Sequence, residues 1–245
     1  MTSTPDASRR PLFLAIVALV AALLGFLGGV TVQWTPIGQH AAGESVRAYL
    51  LEHPEVLPEA MNRLQQKEMA ARLAPLEPQL KTPFPGAVLG NPAGKKVLVE
   101  FTDYACGYCR QSVAEVEALI AADPQLKVVI REYPILSPES EMAARMALAA
   151  AEQGKFASFH HTMFALGRPT PASIQEAARQ AGVDLEKARA VMASPKAQNE
   201  LAMNMRLAEA LGFTGTPSWV AGNEAFSGAV GRAALAKALE GTRAE

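Results

Sequence analysis

The chain has 245 residues, 49% of them hydrophobic, and its 23 basic and 24 acidic side chains give a net charge of -1. That much apolar surface supports a folded core and excludes a disordered protein, while the balanced charge gives no field that would draw the chain to nucleic acid. Two cysteines, three positions apart, are too few for a disulfide-stapled mini-protein and half of what a four-cysteine zinc site requires.

After the basic pair Arg9 and Arg10, residues 11–32 run apolar and uncharged. A bilayer core takes roughly 20 apolar residues and a signal-peptide core about 7–15, so the length favours a transmembrane anchor, with a cleaved signal sequence as the alternative. Either way residues 1–10 form a cytoplasmic N-terminus and the remainder is exported to a compartment where disulfides can form.

From Ala42 to about Leu80 the sequence is helical in character. Val46, Leu50, Leu51, Val56, Leu57, Met61, Leu64 and Leu73 suggest an apolar face, which Pro54 and Pro58 divide into two helices. That face packs either on the main domain or on the same face of another copy, the second reading making 42–81 an oligomerisation segment and linker. Pro75, Pro78, Pro83 and Pro85 read as a stiff polar connection, with a boundary near Thr82 and the main domain over 85–241.

The run KVLVEFT (96–102) reads as a buried strand, Arg110 to Ala122 as a helix, and LKVVIRE (126–132) as a second strand, which together describe a βαβ unit with a parallel pair. An Ala-rich region over about 139–211, cut by Gly154, Pro169, Pro171, Gly182 and Pro195, forms a helical insertion. Short strands at Ser218 to Ala221 and Ala225 to Ser227, joined through Gly222-Asn223, and a helix over 232–239 complete the pattern.

The motif Cys106-Gly107-Tyr108-Cys109 follows the first strand and opens the helix after it. A sulfur at a helix N-terminus meets unpaired N–H groups and the positive end of the dipole, so Cys106 is expected to be an exposed thiolate nucleophile and Cys109, one turn further in, the resolving thiol. Glu100, six residues before Cys106, is either a buried acid that exchanges a proton with Cys109 or an edge-strand residue facing water. Composition makes Thr216-Pro217 an ordinary trans turn, although a cis peptide there would bring backbone groups toward a ligand. His160 and His161 read as helix packing; no metal or other cofactor is expected, since adjacent helical histidines point in different directions.

Taken together, VEFTDYACGYCR (99–110) and GTPSWV (215–220), with the helical insertion between them, resemble the bacterial DsbA-type thioredoxin-fold proteins over about 85–241. The segment VRAYLLEHPEVLPEAM (46–61) resembles the N-terminal region of their oligomeric, suppressor-of-copper-sensitivity (ScsC-like) branch. The resemblance implies an α/β thioredoxin fold with a helical insertion, preceded by the transmembrane or signal helix and an N-terminal helical segment. It implies Cys106 as nucleophile, Cys109 as resolving cysteine, Glu100 as the buried acid and Pro217 as a cis-proline that holds substrate peptides, with Thr216, Gly107 and Tyr108 beside it. It also implies a protein on the periplasmic face of the bacterial inner membrane, or in the periplasm if cleaved. Its expected partners are cysteine-containing exported client proteins, a membrane thiol-disulfide redox partner and further copies of itself through 42–80.

Strongly oxidising members carry Pro-His between the cysteines and usually Val before the cis-proline, whereas Gly107-Tyr108 and Thr216 resemble the DsbC-like isomerases. The reading is therefore a disulfide isomerase or reductase, with a dithiol oxidase as the alternative. A non-catalytic peptide-binding module with a structural disulfide, or a copper-binding protein using both thiolates, are further alternatives.

Overall fold

The computed structural model describes residues 18–22 and 36–241. Among these residues no helix is long and apolar enough to cross a membrane. The span expected at 11–32 lies outside the described residues apart from 18–22, which are helical. The chain divides into two compact units between Arg63 and Leu64.

Helix α1 (Pro36–Glu52) and helix α2 (Val56–Leu73) are separated at His53 to Glu55, where Pro54 lacks the N–H that a continuous helix would use. In the first unit Val46, Tyr49, Leu51, Leu57 and Met61 are all more than half exposed. Where α2 continues into the second unit, Leu73 is buried. A short helix, α3 (Glu77–Lys81), follows, and Leu80 and Phe84 are buried in turn. The stretch expected to be a polar linker is thus partly helical and belongs to the packed unit, because its few apolar residues find places in the core.

The second unit is built on a five-stranded sheet with the order β1-β3-β2-β4-β5: β1 (Val88–Gly90), β2 (Lys96–Thr102), β3 (Leu126–Glu132), β4 (Ser218–Ala221) and β5 (Glu224–Ser227). Strands β2 and β3 run parallel, linked by helix α4 (Gly107–Ala122), and the remaining pairs are antiparallel. Strand β2 is therefore central, and a central strand is buried on both faces, as its run of Val, Leu and Phe requires.

Alternation along β2 and β3 divides the core. Leu98, Val128, Ile130 and Trp219 pack into one cluster with Cys109 and Leu119 of α4. Val99, Phe101, Val129 and Val220 pack on the other face with Leu73, Leu80, Leu207 and Phe213.

The insertion comprises α5 (Pro138–Glu152), α6 (Phe156–Leu166), α7 (Pro171–Gln180), α8 (Leu185–Met192) and α9 (Pro195–Leu211), and α10 (Arg232–Glu240) closes the unit. Ser137, Thr170, Asp184 and Ser194 each cap the helix that follows through their side chains, and three of those helices begin with proline. Caps of this kind are worth about 1 kcal/mol each and fix where each helix starts. Gly212, at φ 74°, ends α9 in the left-handed conformation that glycine adopts without a Cβ clash.

Arg131 has no exposed surface and anchors residues 79–82 to β3. It pairs with Glu200 at 2.8 Å, donates to the carbonyls of Leu80 (3.1 Å) and Thr82 (2.5 Å), and also donates to that of Gln79. A buried guanidinium is tolerated because its two terminal nitrogens are matched by this set of acceptors, although Nε finds none.

Candidate active site

The end of β2, the turn 103–106 and the first turn of α4 deliver both cysteines to one place. The Cys106 N–H donates to the Asp103 carbonyl at 3.0 Å, which turns the chain so that Cys106 becomes the N-cap of α4. Its Sγ then accepts the Cys109 N–H at 3.4 Å. Both cysteines are free thiols, Cys106 being 6% exposed and Cys109 fully buried. The expected ordering of exposure is present, but Cys106 is far more covered than the sequence suggested. The cover comes partly from the loop before β4, where the Thr216 carbonyl oxygen lies 3.2 Å from Cys106 Sγ.

The Thr216-Pro217 peptide is cis, not the trans turn that composition favoured. Pro217 is buried, Thr216 is half-buried, and Gly107 and Tyr108 are exposed, Tyr108 to 63%. The four residues expected to contact substrate thus lie either beside Cys106 in the motif or in the loop that reaches its sulfur.

The electrostatics differ sharply between the two sulfurs. The Cys109 side chain and then, against the pull of burial, the Thr216 side chain and the N–H groups of Cys109 and Tyr108 at the start of α4 hold the Cys106 thiol down to about 5. Burial pushes the Cys109 thiol well above its ordinary range, and its hydrogen bond to Cys106 and then the neighbouring Glu100 charge push it further. Glu100 is 3% exposed on β2, directly across from Trp219 on β4, so it is not an edge residue facing water. Burial raises its carboxyl to about 8, and the Cys106 charge contributes in the same direction. The three groups form a set in which one acid is readily ionised and two hold their protons.

Beneath them lies a second polar group that sequence reasoning missed. Tyr104 is fully buried; its hydroxyl donates to Glu132 Oε1 at 3.1 Å and lies 3.2 Å from His160 Nδ1. Burial holds Glu132 and Tyr104 well above their ordinary values and His160 down to about 3. His160 is therefore neutral and is used in packing, against the rings of Phe156 and Phe164 as well as Tyr104. His161 points away to Glu117, 3.3 Å from its carboxyl. Among the described residues no group of three or more His, Cys, Asp or Glu is arranged to hold a metal ion. Asp103, also unmarked by the sequence, is 1% exposed beside the same turn. The partners of Tyr104 are 28 and 56 residues away, a separation that no local pattern encodes.

Residues 97–240 match the family model described as DSBA-like thioredoxin domain, and residues 41–71 match that of the copper resistance protein ScsC N-terminal domain. A thioredoxin-like oxidoreductase from Silicibacter pomeroyi DSS-3 is 42% identical, with a TM-score of 0.60 over 62% of this chain and 89% of that chain. ScsC from Proteus mirabilis, solved in a transitional conformation, is 26% identical, with a TM-score of 0.63 over 84% of this chain and 95% of that chain. A curated relative, Na(+)/H(+) antiporter NhaA 3 from Salinispora tropica, is 29% identical over 145 residues, which are 58% of this chain. The chain spans only 22% and 24% of the length of the curated relatives it matches.

Proposed function

The chain belongs to the DSBA-like thioredoxin domain family, and from that premise we propose that it is a thiol-disulfide oxidoreductase acting on exported proteins through Cys106 and Cys109. The observation that carries this reading is the contrast between the sulfurs: a thiol held down to about 5 at a helix N-terminus beside one that burial keeps protonated.

The Cys106 thiolate attacks a client disulfide, forms a mixed disulfide and releases one client thiolate. From there the site has two exits. In isomerisation another client thiolate attacks the mixed disulfide and Cys106 leaves as the thiolate, with no net redox change. In reduction Cys109 gives its proton to Glu100 in the molecules where that carboxyl is ionised, and attacks Cys106 Sγ. The internal disulfide forms, the second client thiolate leaves, and two electrons have passed to the client. Glu100 suits the role because a carboxyl poised near 8 both takes and returns a proton around neutral pH. A membrane thiol-disulfide partner then restores the dithiol. Thr216 and Pro217 hold the client backbone on one side of the sulfur, and Gly107 and Tyr108 meet it on the other.

Isomerisation or reduction is the favoured direction. A histidine between the cysteines would stabilise the reduced thiolate and make the pair a stronger oxidant; Tyr108 supplies no such charge. Self-association supports the same direction by setting several sites around one misfolded client. The match of 41–71 to the ScsC N-terminal domain and the exposed apolar side chains of α1 and α2 support residues 42–80 as its seat. The compartment is the periplasm or the periplasmic face of the inner membrane, where a disulfide-exchanging pair has substrates.

A client with scrambled disulfides, offered to the dithiol protein without added oxidant, tests the direction. Recovery of native pairing is expected. Activity confined to oxidising reduced clients would instead assign the chain as an oxidase.

A further inference from the structure

Asp103 stands between the cysteine turn and the exit of β3, and its buried side chain accepts three main-chain N–H groups. Oδ1 takes the Ala105 N–H at 2.8 Å, within the turn itself. Oδ2 takes the N–H groups of Ile135 at 2.8 Å and Leu136 at 2.9 Å, more than thirty residues later. The Asp103 carbonyl, in addition, accepts the Cys106 N–H at 3.0 Å. One residue therefore shapes the turn that makes Cys106 an N-cap and pins that turn to the loop leaving β3.

We propose that Asp103 is a positioning residue for thiol exchange, holding the turn 103–106 against residues 135–136 so that Cys106 Sγ meets the N-terminus of α4. The proposal rests on Cys106 being the nucleophile. The Cys109 N–H reaches Cys106 Sγ at 3.4 Å, an ordinary separation for a sulfur acceptor, and a displacement of the turn that carries the sulfur away forfeits it. The Ala105, Ile135 and Leu136 N–H groups converge on the two oxygens of the Asp103 carboxylate, and an amide in its place offers one oxygen and turns N–H donors against them. Glu132 of β3 is close enough to interact with the Asp103 charge, and the hydrogen bonds of Glu132 and His160 run to Tyr104 rather than to these three N–H groups.

The sign of the effect separates positioning from charge. Removing a negative charge near Cys106 would by itself make its thiolate easier to form. Loss of the anchored N-cap geometry makes it harder.

The test is a pH titration of thiolate ultraviolet absorbance in the full dithiol chain, for wild type, Asp103→Asn and Asp103→Ala. The wild-type Cys106 midpoint should lie near about 5. In Asp103→Ala it should rise by about one pH unit, a tenfold loss of thiolate at a given acid pH, with a smaller rise in Asp103→Asn. A lowered or unmoved midpoint in a folded Asp103→Asn protein would overturn the proposal, whatever happens to thermal stability and even if Asp103→Ala does not fold. A wild-type midpoint in the ordinary thiol range would instead defeat the nucleophile reading itself.

Discussion

Cys106 Sγ lies 3.2 Å from the carbonyl oxygen of Thr216, a residue 110 positions further along the chain. Two distant segments therefore meet at the sulfur, one supplying the helix N-terminus that favours the thiolate and the other a carbonyl that covers it.

Cys106→Ser should abolish disulfide exchange. Cys109→Ser should leave the attack intact and strand the protein on its clients, because the buried thiol that releases the mixed disulfide is missing. Non-reducing gels of the Cys109→Ser protein after incubation with a disulfide client should show the adduct. Full turnover by either variant would contradict the assigned roles.

Glu100 and Cys106 pull stability in opposite directions with pH. Glu100 is protonated in the fold up to about pH 8 but ionises near its ordinary 4.5 once unfolded, so its contribution is fully present below 4.5 and is lost as pH rises toward 8. Cys106 titrates near about 5 in the fold and near its ordinary 9.0 when unfolded, so its contribution is fully present above 9 and is lost as pH falls through 5. Each pH unit between such values is worth about 1.4 kcal/mol for a fully buried group. Glu100→Gln removes the first trend and keeps the second. The Tm of the dithiol Glu100→Gln protein should climb more steeply between pH 5 and 8 than that of wild type, and its resolving step should slow by about 10²-fold. Parallel melting profiles would contradict this assignment.

Tyr104→Phe tests the buried group beneath the site. The substitution leaves Glu132 without a side-chain donor in a fully enclosed position, where Oε2 is already unpartnered. A loss of about 1–3 kcal/mol on denaturant unfolding is expected. An unchanged midpoint would show that the hydroxyl is dispensable.

Truncation should behave differently on the two sides of Leu64. Removing 42–63 takes away exposed apolar side chains and should give a monomer by light scattering with a catalytic unit of undiminished Tm. Extending the deletion to residue 80 removes Leu73 and Leu80 from the core; burial at such positions is worth about 2–5 kcal/mol each, so the longer truncation should unfold at lower temperature. A short truncation of unchanged mass would refute 42–63 as the seat of self-association.

The parts of this fold that are legible in the sequence are those with local cause. KVLVEFT and LKVVIRE announce their strands by β-branched and apolar runs, and prolines with Ser or Thr before them mark three of the five helix starts in the insertion. Strand β1 is three residues long and exists only through its pairing with β3, so no periodicity precedes it. Cys106 and Cys109 stand out by their spacing together with the strand that precedes them and the helix they open, both of which are local. His160 packs in its helix as its sequence context suggested, whereas Asp103, Tyr104 and Glu132 were missed because what makes them matter is a partner tens of residues away. Glu100 was ambiguous for the same reason: its burial follows from β4 pairing on one side of β2 and β3 on the other.

The most direct test of the central claim is the equilibrium reduction potential of the Cys106–Cys109 pair against glutathione, measured on residues 41–245. A pair without a charged residue between its cysteines should settle at about -180 mV or lower, in the range of shuffling and reducing proteins. A value near about -120 mV would contradict that direction and mark a strong oxidant, and a disulfide that never exchanges with glutathione would contradict the oxidoreductase reading altogether.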